Sequence, residues 1–375
     1  MKSLCLLCLR HCACIQRWIG MGILSLSLFC SACASPAPHT PSVSPIMLQK
    51  RVYHLTGRST TVKGMRQGPF TFFTLLPSSS DIENMVKGPD GALWFEQGDN
   101  GLIGRITETG QLTTFSLRSV RNFQIPVGNP LWITVGPDHA LWLTDTAAIE
   151  RLALDGTLTI FLLPTFQESP SEITAGPDGA LWFLEYGAQN LLSRLTLQGV
   201  LTQFPLPSPT TGSLASGPLN ALWFLESFPT GGGAIGRMTT DGNLAQFPIP
   251  QSIGGNELTV GPDGNLWFGT DQGRTNQIGQ VLPNGHVTFF SLGRAGSIQR
   301  IASDGYGSLV FTTVDAAMIG FMTTQGKVSK MFPFPHPEVY PLALTTVQPG
   351  EYWFSEDSAN NTSSQKSTIG VLRIP

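Results

Sequence analysis

The sequence predicts an all-β fold, a seven-bladed β-propeller of four-stranded antiparallel blades, on three observations. An octapeptide recurs at the spacing of one blade. Each copy sits in a unit that divides into four short strands. The last unit lacks its fourth strand, and a matching strand stands alone before the first octapeptide.

The octapeptide reads GPDGALWF from Gly88 to Phe95, GPDHALWL from Gly136, GPDGALWF again from Gly176, GPLNALWF from Gly217 and GPDGNLWF from Gly261. Two weaker copies follow, DGYGSLVF from Asp304 and VQPGEYWF from Val347. Counted at Trp94, Trp142, Trp182, Trp223, Trp267, Val310 and Trp353, the intervals are 48, 40, 41, 44, 43 and 43 residues. A period of about 40 to 45 residues belongs to propeller blades.

The cleanest unit divides into strands Glu172 to Ala175, Ala180 to Glu185, Leu191 to Leu197 and Leu201 to Leu206. Pro177-Asp178-Gly179 makes the first turn, because proline presets φ, aspartate bonds its own backbone and glycine accepts positive φ. Gln198-Gly199 makes the third, with counterparts at Thr109-Gly110, Asp155-Gly156, Asp241-Gly242, Asn284-Gly285 and Gln325-Gly326. Prolines 164, 207, 250 and 335 end fourth strands, which suits an outer edge, since proline cannot donate to a ladder. Phe70 to Pro77 supplies the strand that completes the last blade and closes the ring. The repeated tryptophan is expected to fill space between blades, where burial of about 200 Å² of indole contributes roughly 5 kcal/mol as an upper bound.

Three regions follow: 1–33 as an export signal ending in a lipoprotein-type cysteine, 34–69 as a Pro/Ser-rich tether and lead-in, and 70–375 as the propeller. All six cysteines lie at or before Cys33. Lys2, Arg10 and Arg17 precede an apolar run from Trp18 to Cys30, and Ser31-Ala32-Cys33 resembles a lipidation box with Cys33 as the modified residue. An uncleaved membrane anchor is the alternative. Either way the ring is expected outside the cytoplasm, tethered to the cell membrane and monomeric. With 13% charged residues and a formal net charge of −3, a nucleic-acid partner is not expected.

Function in a repeat protein is expected where the repeat is irregular. The glycine turns share one face, and the loops between blades and after the tryptophan strand lie on the other. Two residues past each Trp-Phe pair stand Gln97, Asp145, Glu185, Glu226, Thr270, Thr313 and Glu356. At the start of each blade stand Asn84, Trp132, Glu172, Ser213, Glu257, Arg300 and Ala343. Asp145, Glu172, Glu185, Glu226, Glu257 and Arg300 are therefore the expected ligand-binding residues of an acidic funnel. Such carboxylates hold Mg²⁺ or Ca²⁺, or raise one another's pKa into the range of a general base, or are solvated strand ends. Trp132 either lines a pocket or packs inward.

The repeat ITAGPDGALWFLE…LLSRLTLQGVLTQFPLP, with LIGRITETGQLTTFSL and AIGRMTTDGNLAQFPIP, resembles the streptogramin B lyase (virginiamycin B lyase) family of seven-bladed propellers over Phe70 to Pro375. The resemblance implies an elimination that opens a cyclic depsipeptide: a base takes the proton α to an ester carbonyl while Mg²⁺ stabilises the enolate. It places the machinery in a Glu-Pro-His stretch starting the last blade, a histidine starting an earlier one, and the glutamate after the last Trp-Phe. In this chain the stretch reads Tyr340-Pro341-Leu342, while the glutamate is kept as Glu356, the one expected catalytic and metal-binding residue. None of His39, His54, His139, His286 and His336 stands at a blade start. Loss of a general base forfeits about 10²- to 10⁴-fold, or roughly 3 to 5.5 kcal/mol of barrier. The expectation is a propeller that binds a small molecule, peptide or cell-surface partner and has lost the lyase reaction. The alternative is a divalent-metal-dependent lyase that uses carboxylates.

Overall fold

In the computed structural model the described residues are 43–374, without 76–81, 121–130, 165–168, 209, 229–231, 250–256, 271–276, 294–295, 315, 337–338 and 359–366. The chain divides into two compact units, Met1–Pro36 and Ala37–Pro375. The first unit, with Cys33, lies outside the described residues. The second is a ring of seven antiparallel sheets, each built on three or four consecutive strands. Among the described residues no helix is long and apolar enough to cross a membrane.

Blade 3 shows the pattern, with strands Ser169–Ala175, Leu181–Tyr186, Leu191–Leu195 and Val200–Pro205 in order from inside to outside. The ring closes as the sequence predicts. Phe70–Thr74 pairs with Thr368–Arg373 of blade 7, from Thr74 opposite Thr368 to Phe70 opposite Leu372. No exposed gap in hydrogen bonding is left between the first and last blades.

The lead-in departs from expectation. Of the segment 34–69, residues 43–67 form four strands, so four blades carry a fifth, outermost strand. Val43–Met47 lies on blade 3, Gln49–His54 on blade 2, Arg58–Thr61 on blade 1 and Gly64–Gln67 on blade 7. This strap advances one blade every seven residues. Leu48, Leu55 and Val62 donate backbone N–H bonds of 2.9, 2.8 and 2.9 Å to the carbonyls of Gly199, Gly156 and Gly110, the third-turn glycines of successive blades. The outer edges of these blades would otherwise present unpaired backbone groups.

The tryptophans pack as structural residues. All six in the octapeptide are fully buried, and each stacks on a phenylalanine of its own blade's fourth strand: Trp94 on Phe115, Trp142 on Phe161, Trp182 on Phe204, Trp223 on Phe247, Trp267 on Phe290 and Trp353 on Phe73. The turn aspartate does more than turn the chain. Asp178 Oδ1 accepts the indole N–H of Trp182 at 3.0 Å, while its Oδ2 binds Arg194 of the third strand. Asp90 and Asp138 repeat the clamp with Arg105 and Arg151, and Glu351 supplies it in blade 7 for Trp353 and Arg373. Blade 4 lacks the aspartate, so Trp223 donates to the Pro218 carbonyl at 3.0 Å and Arg237 lies over its ring.

The phenylalanine after the tryptophan needs room of its own. A Cβ on Gly104 would come within 2.0 Å of the Phe95 ring, so this third-strand position must be nearly side-chain-free where a phenylalanine lies across it. Blade 2 has Leu143 instead, and Glu150 takes the glycine's place, fully buried.

Candidate functional site at the blade starts

Local irregularity places the site. Strand register breaks at the start of blade 3 between Pro170 and Ile173, of blade 4 between Thr210 and Leu214, of blade 6 between Ile298 and Arg300, and of blade 7 between Pro341 and Leu344. Bulges re-aim side chains. Blade-start residues, bulged or not, also bond across to the next blade. Asn84 Oδ1 accepts the N–H of Ile133 at 3.3 Å, Ser213 Oγ accepts that of Leu258 at 2.5 Å, and the Glu257 carboxylate accepts that of Ile301.

Arg300 joins five blades. From blade 6 its Nη2 donates to the Glu83 carbonyl of blade 1 at 3.0 Å, and its guanidinium lies 5.9 Å from the centre of the Trp132 ring in blade 2. Its Nε is 3.9 Å from Glu257 Oε2 of blade 5, and Glu172 of blade 3 lies within its electrostatic reach. Trp132 therefore both packs against the inter-blade core and faces the cation.

Two carboxylates share this single guanidinium. Burial pushes Glu172 up to about 7, against the pull of a Ser171 hydroxyl donor and of Arg300, with Glu257 adding repulsion. Glu257 is also raised to about 7 by burial, offset in part by Arg300 and the Ile301 N–H. Its side chain retains 27% exposure, yet Oε2 itself is enclosed and accepts no hydrogen bond among the described residues. Near neutral pH the cluster therefore moves between a net cation and a net anion. It offers a charged donor, acceptors that can also donate, and an aromatic face, which together suit a polar ligand.

The second expected row has partners of its own. Asp145, Glu185, Glu226 and Glu356 are buried rather than solvated, and each is held by its own surroundings. Asp145 Oδ1 accepts the Thr146 N–H at 2.6 Å, and Glu185 Oε1 accepts from Ser193 and, at 2.9 Å, from Gln203 Nε2. Glu226 Oε2 accepts from Gln246 Nε2 at 2.7 Å. Of the residues expected in the funnel, Glu172 and Glu257 gather with Trp132 around the Arg300 guanidinium.

Glu356 has a partner that its position in the repeat does not reveal. His336 Nδ1 lies 3.3 Å from Glu356 Oε2, and its ring packs 5.0 Å from that of Phe72. Burial raises Glu356 to about 7, with His336 opposing. His336 sits on the connection from blade 6 into blade 7, on the irregular face, and that location was the available signal. Glu96 escapes the repeat pattern as well: its buried Oε1 accepts the N–H groups of Glu83 and Asn84, both at 3.2 Å, beneath the Arg300 contact. Among the described residues no three His, Cys, Asp or Glu side chains come close enough to hold a metal ion.

A cavity of about 1030 Å³ opens beside blade 1, lined in part by His54, Arg58, Phe95, Gln97 and Arg118. Its lining ends at Leu75 and Val120, next to segments 76–81 and 121–130 outside the described residues.

The virginiamycin B lyase family model matches residues 54–254 and, in a second placement, 126–372. No curated protein sequence matches the chain. The structure is similar to that of selenomethionine-substituted virginiamycin B lyase from Staphylococcus aureus, with 25% identity and a TM-score of 0.68 over 82% of this chain and 99% of that one. It is also similar to a catalytically inactive histidine-to-alanine variant of that Staphylococcus aureus enzyme with quinupristin, at 25% identity and a TM-score of 0.67 over 81% and 99%. A streptogramin B lyase structure superposes with a TM-score of 0.67 over 80% and 96%, at 23% identity. With seven blades and a family model that spans most of the ring, the chain belongs to the virginiamycin B lyase family.

Proposed function

We propose that the chain is an exported, membrane-tethered propeller that binds a small molecule or peptide at the Arg300 cluster and does not open streptogramin B. One observation carries the reading: five blades converge on one guanidinium flanked by Trp132, Glu172 and Glu257. The loss of the lyase reaction is supported by Leu342, a half-buried alkyl side chain where the family resemblance implies a histidine. That a relative is inactivated by a histidine-to-alanine change agrees with this. Incubation of the purified chain with a type B streptogramin and Mg²⁺, followed by mass spectrometry, is expected to leave the ring closed. Appearance of the linear product would overturn the reading.

A second reading is favoured by the His336–Glu356 pair. In a divalent-metal-dependent carbon–oxygen lyase, Glu356 would orient His336 through Nδ1 and leave Nε2 as the proton acceptor, with the base supplied from a different loop. Linearisation that disappears in His336→Ala would establish it.

A further inference from the structure

The strap over blades 3, 2, 1 and 7 carries chemistry that edge protection does not require. From Val43 to Gln67 it holds Lys50, Arg51, Arg58, Lys63 and Arg66 and no aspartate or glutamate, in a chain whose net charge is −3. Lys50, Arg58, Lys63 and Arg66 are exposed, and Arg51 is half-buried. The ion pairs among the described residues use Arg105, Arg151, Arg194, Arg300, His336 and Arg373, none of them in the strap.

A second observation is independent of charge. Ile46, Met47, Val52 and Met65 are four of the eight exposed large apolar side chains among the described residues, with exposures of 36, 65, 61 and 55%. Each strap strand is paired along one edge only, so its side chains stand at the rim of the ring. Cations interleaved with solvent-facing methionine, valine and isoleucine are what an interfacial segment presents: bases for headgroups, apolar groups for the acyl boundary. A soluble polyanion would engage the bases and leave the apolar set without a partner.

We propose that the strap is a membrane-facing surface that docks the ring on an anionic lipid bilayer. It lies within the segment 34–69 proposed as tether and lead-in, and in that one respect the inference rests on the proposed function. Each base brought within a Debye length of about 10 Å of an anionic leaflet strengthens the contact about fivefold. Two or three engaged bases therefore suffice to orient a tethered ring.

The test uses the full chain with vesicles of phosphatidylcholine alone or mixed with phosphatidylglycerol. Lysine acetylation is read residue by residue by mass spectrometry. Lys50 and Lys63 are expected to react at least about fivefold more slowly on the anionic vesicles, with exposed Lys330 of blade 6 unchanged. High salt, the R58Q/R66Q variant, which keeps both reporter lysines, and, through the other chemistry, V52S/M65S should each reduce the protection. Equal reactivity on the two vesicle types overturns the proposal. So does protection by heparin as strong as that by anionic vesicles, which would indicate a polymer partner. Salt-resistant sedimentation with neutral vesicles reports the tether separately; its absence, with Lys50 and Lys63 still protected on anionic vesicles, refutes only the tether.

Discussion

Glu226 offers a sharp test of how this ring tolerates carboxylates between its blades. It is fully buried; one oxygen accepts from Gln246, and Oε1 has no hydrogen-bond partner among the described residues. Burial raises its pKa from 4.5 to about 7, with Gln246 pulling it back. A carboxyl whose folded pKa is raised contributes full stability below its unfolded value, and that contribution is lost as pH rises from about 4.5 through 7. A tenfold change in proton affinity corresponds to about 1.4 kcal/mol, so this one carboxyl is expected to cost the folded state roughly 2.5 kcal/mol more at pH 8 than at pH 5. Glu226→Gln removes the titration and keeps the shape. The amide adds a donor that must find a partner, a penalty of about 1–3 kcal/mol that does not change with pH. Urea unfolding followed by tryptophan fluorescence at both pH values should therefore show the variant gaining about 2.5 kcal/mol relative to the parent on going from pH 5 to pH 8. The same difference at both pH values, with unchanged m, would refute the assignment of a neutral buried carboxyl.

The clamp and the address are testable in the same way. Asp178→Ala leaves the buried Trp182 N–H without its acceptor and Arg194 without its counter-ion, and is expected to lower stability by about 1–3 kcal/mol, read by the same unfolding experiment. An unchanged midpoint would show that the aspartate serves only the turn. Cys33→Ser is expected to release the protein from the membrane fraction if a lipid anchors it; retention would favour an uncleaved apolar helix.

Most of the fold was legible because propeller geometry repeats. Trp94 to Trp353 mark the blades, third-turn glycines such as Gly110 and Gly156 mark the hairpins, and Phe70–Thr74 alone lacked a neighbour in sequence. The strap was not legible as strands, since its stretches of four to six residues lack strong alternation. Its signal was the seven-residue recurrence of Leu48, Leu55 and Val62, which becomes meaningful only when each is seen to meet the next blade's glycine carbonyl. The site was legible by position and not by partnership. Position alone put Arg300 with Glu172 and Glu257, but only the structure separates them from Glu185 and Glu226, which bond within their own sheets.

The two rows differ because their strands face different surroundings. Second-strand ends lie between blades, where a carboxylate must be protonated or satisfied by a neighbour such as Gln203 or Gln246. First-strand starts meet their counterparts from other blades, and bulges there free side chains from the sheet register. A cation placed in that row can draw on several blades, as Arg300 does by donating to the Glu83 carbonyl and by facing the Glu257 carboxylate at 3.9 Å. Arg300→Met would leave Glu172 and Glu257 as neighbouring buried carboxylates without a counter-charge, driving both further upward in pKa and removing the charged donor. Loss of ligand binding with the seven-bladed ring intact is therefore the outcome that would tie recognition to this residue rather than to the fold.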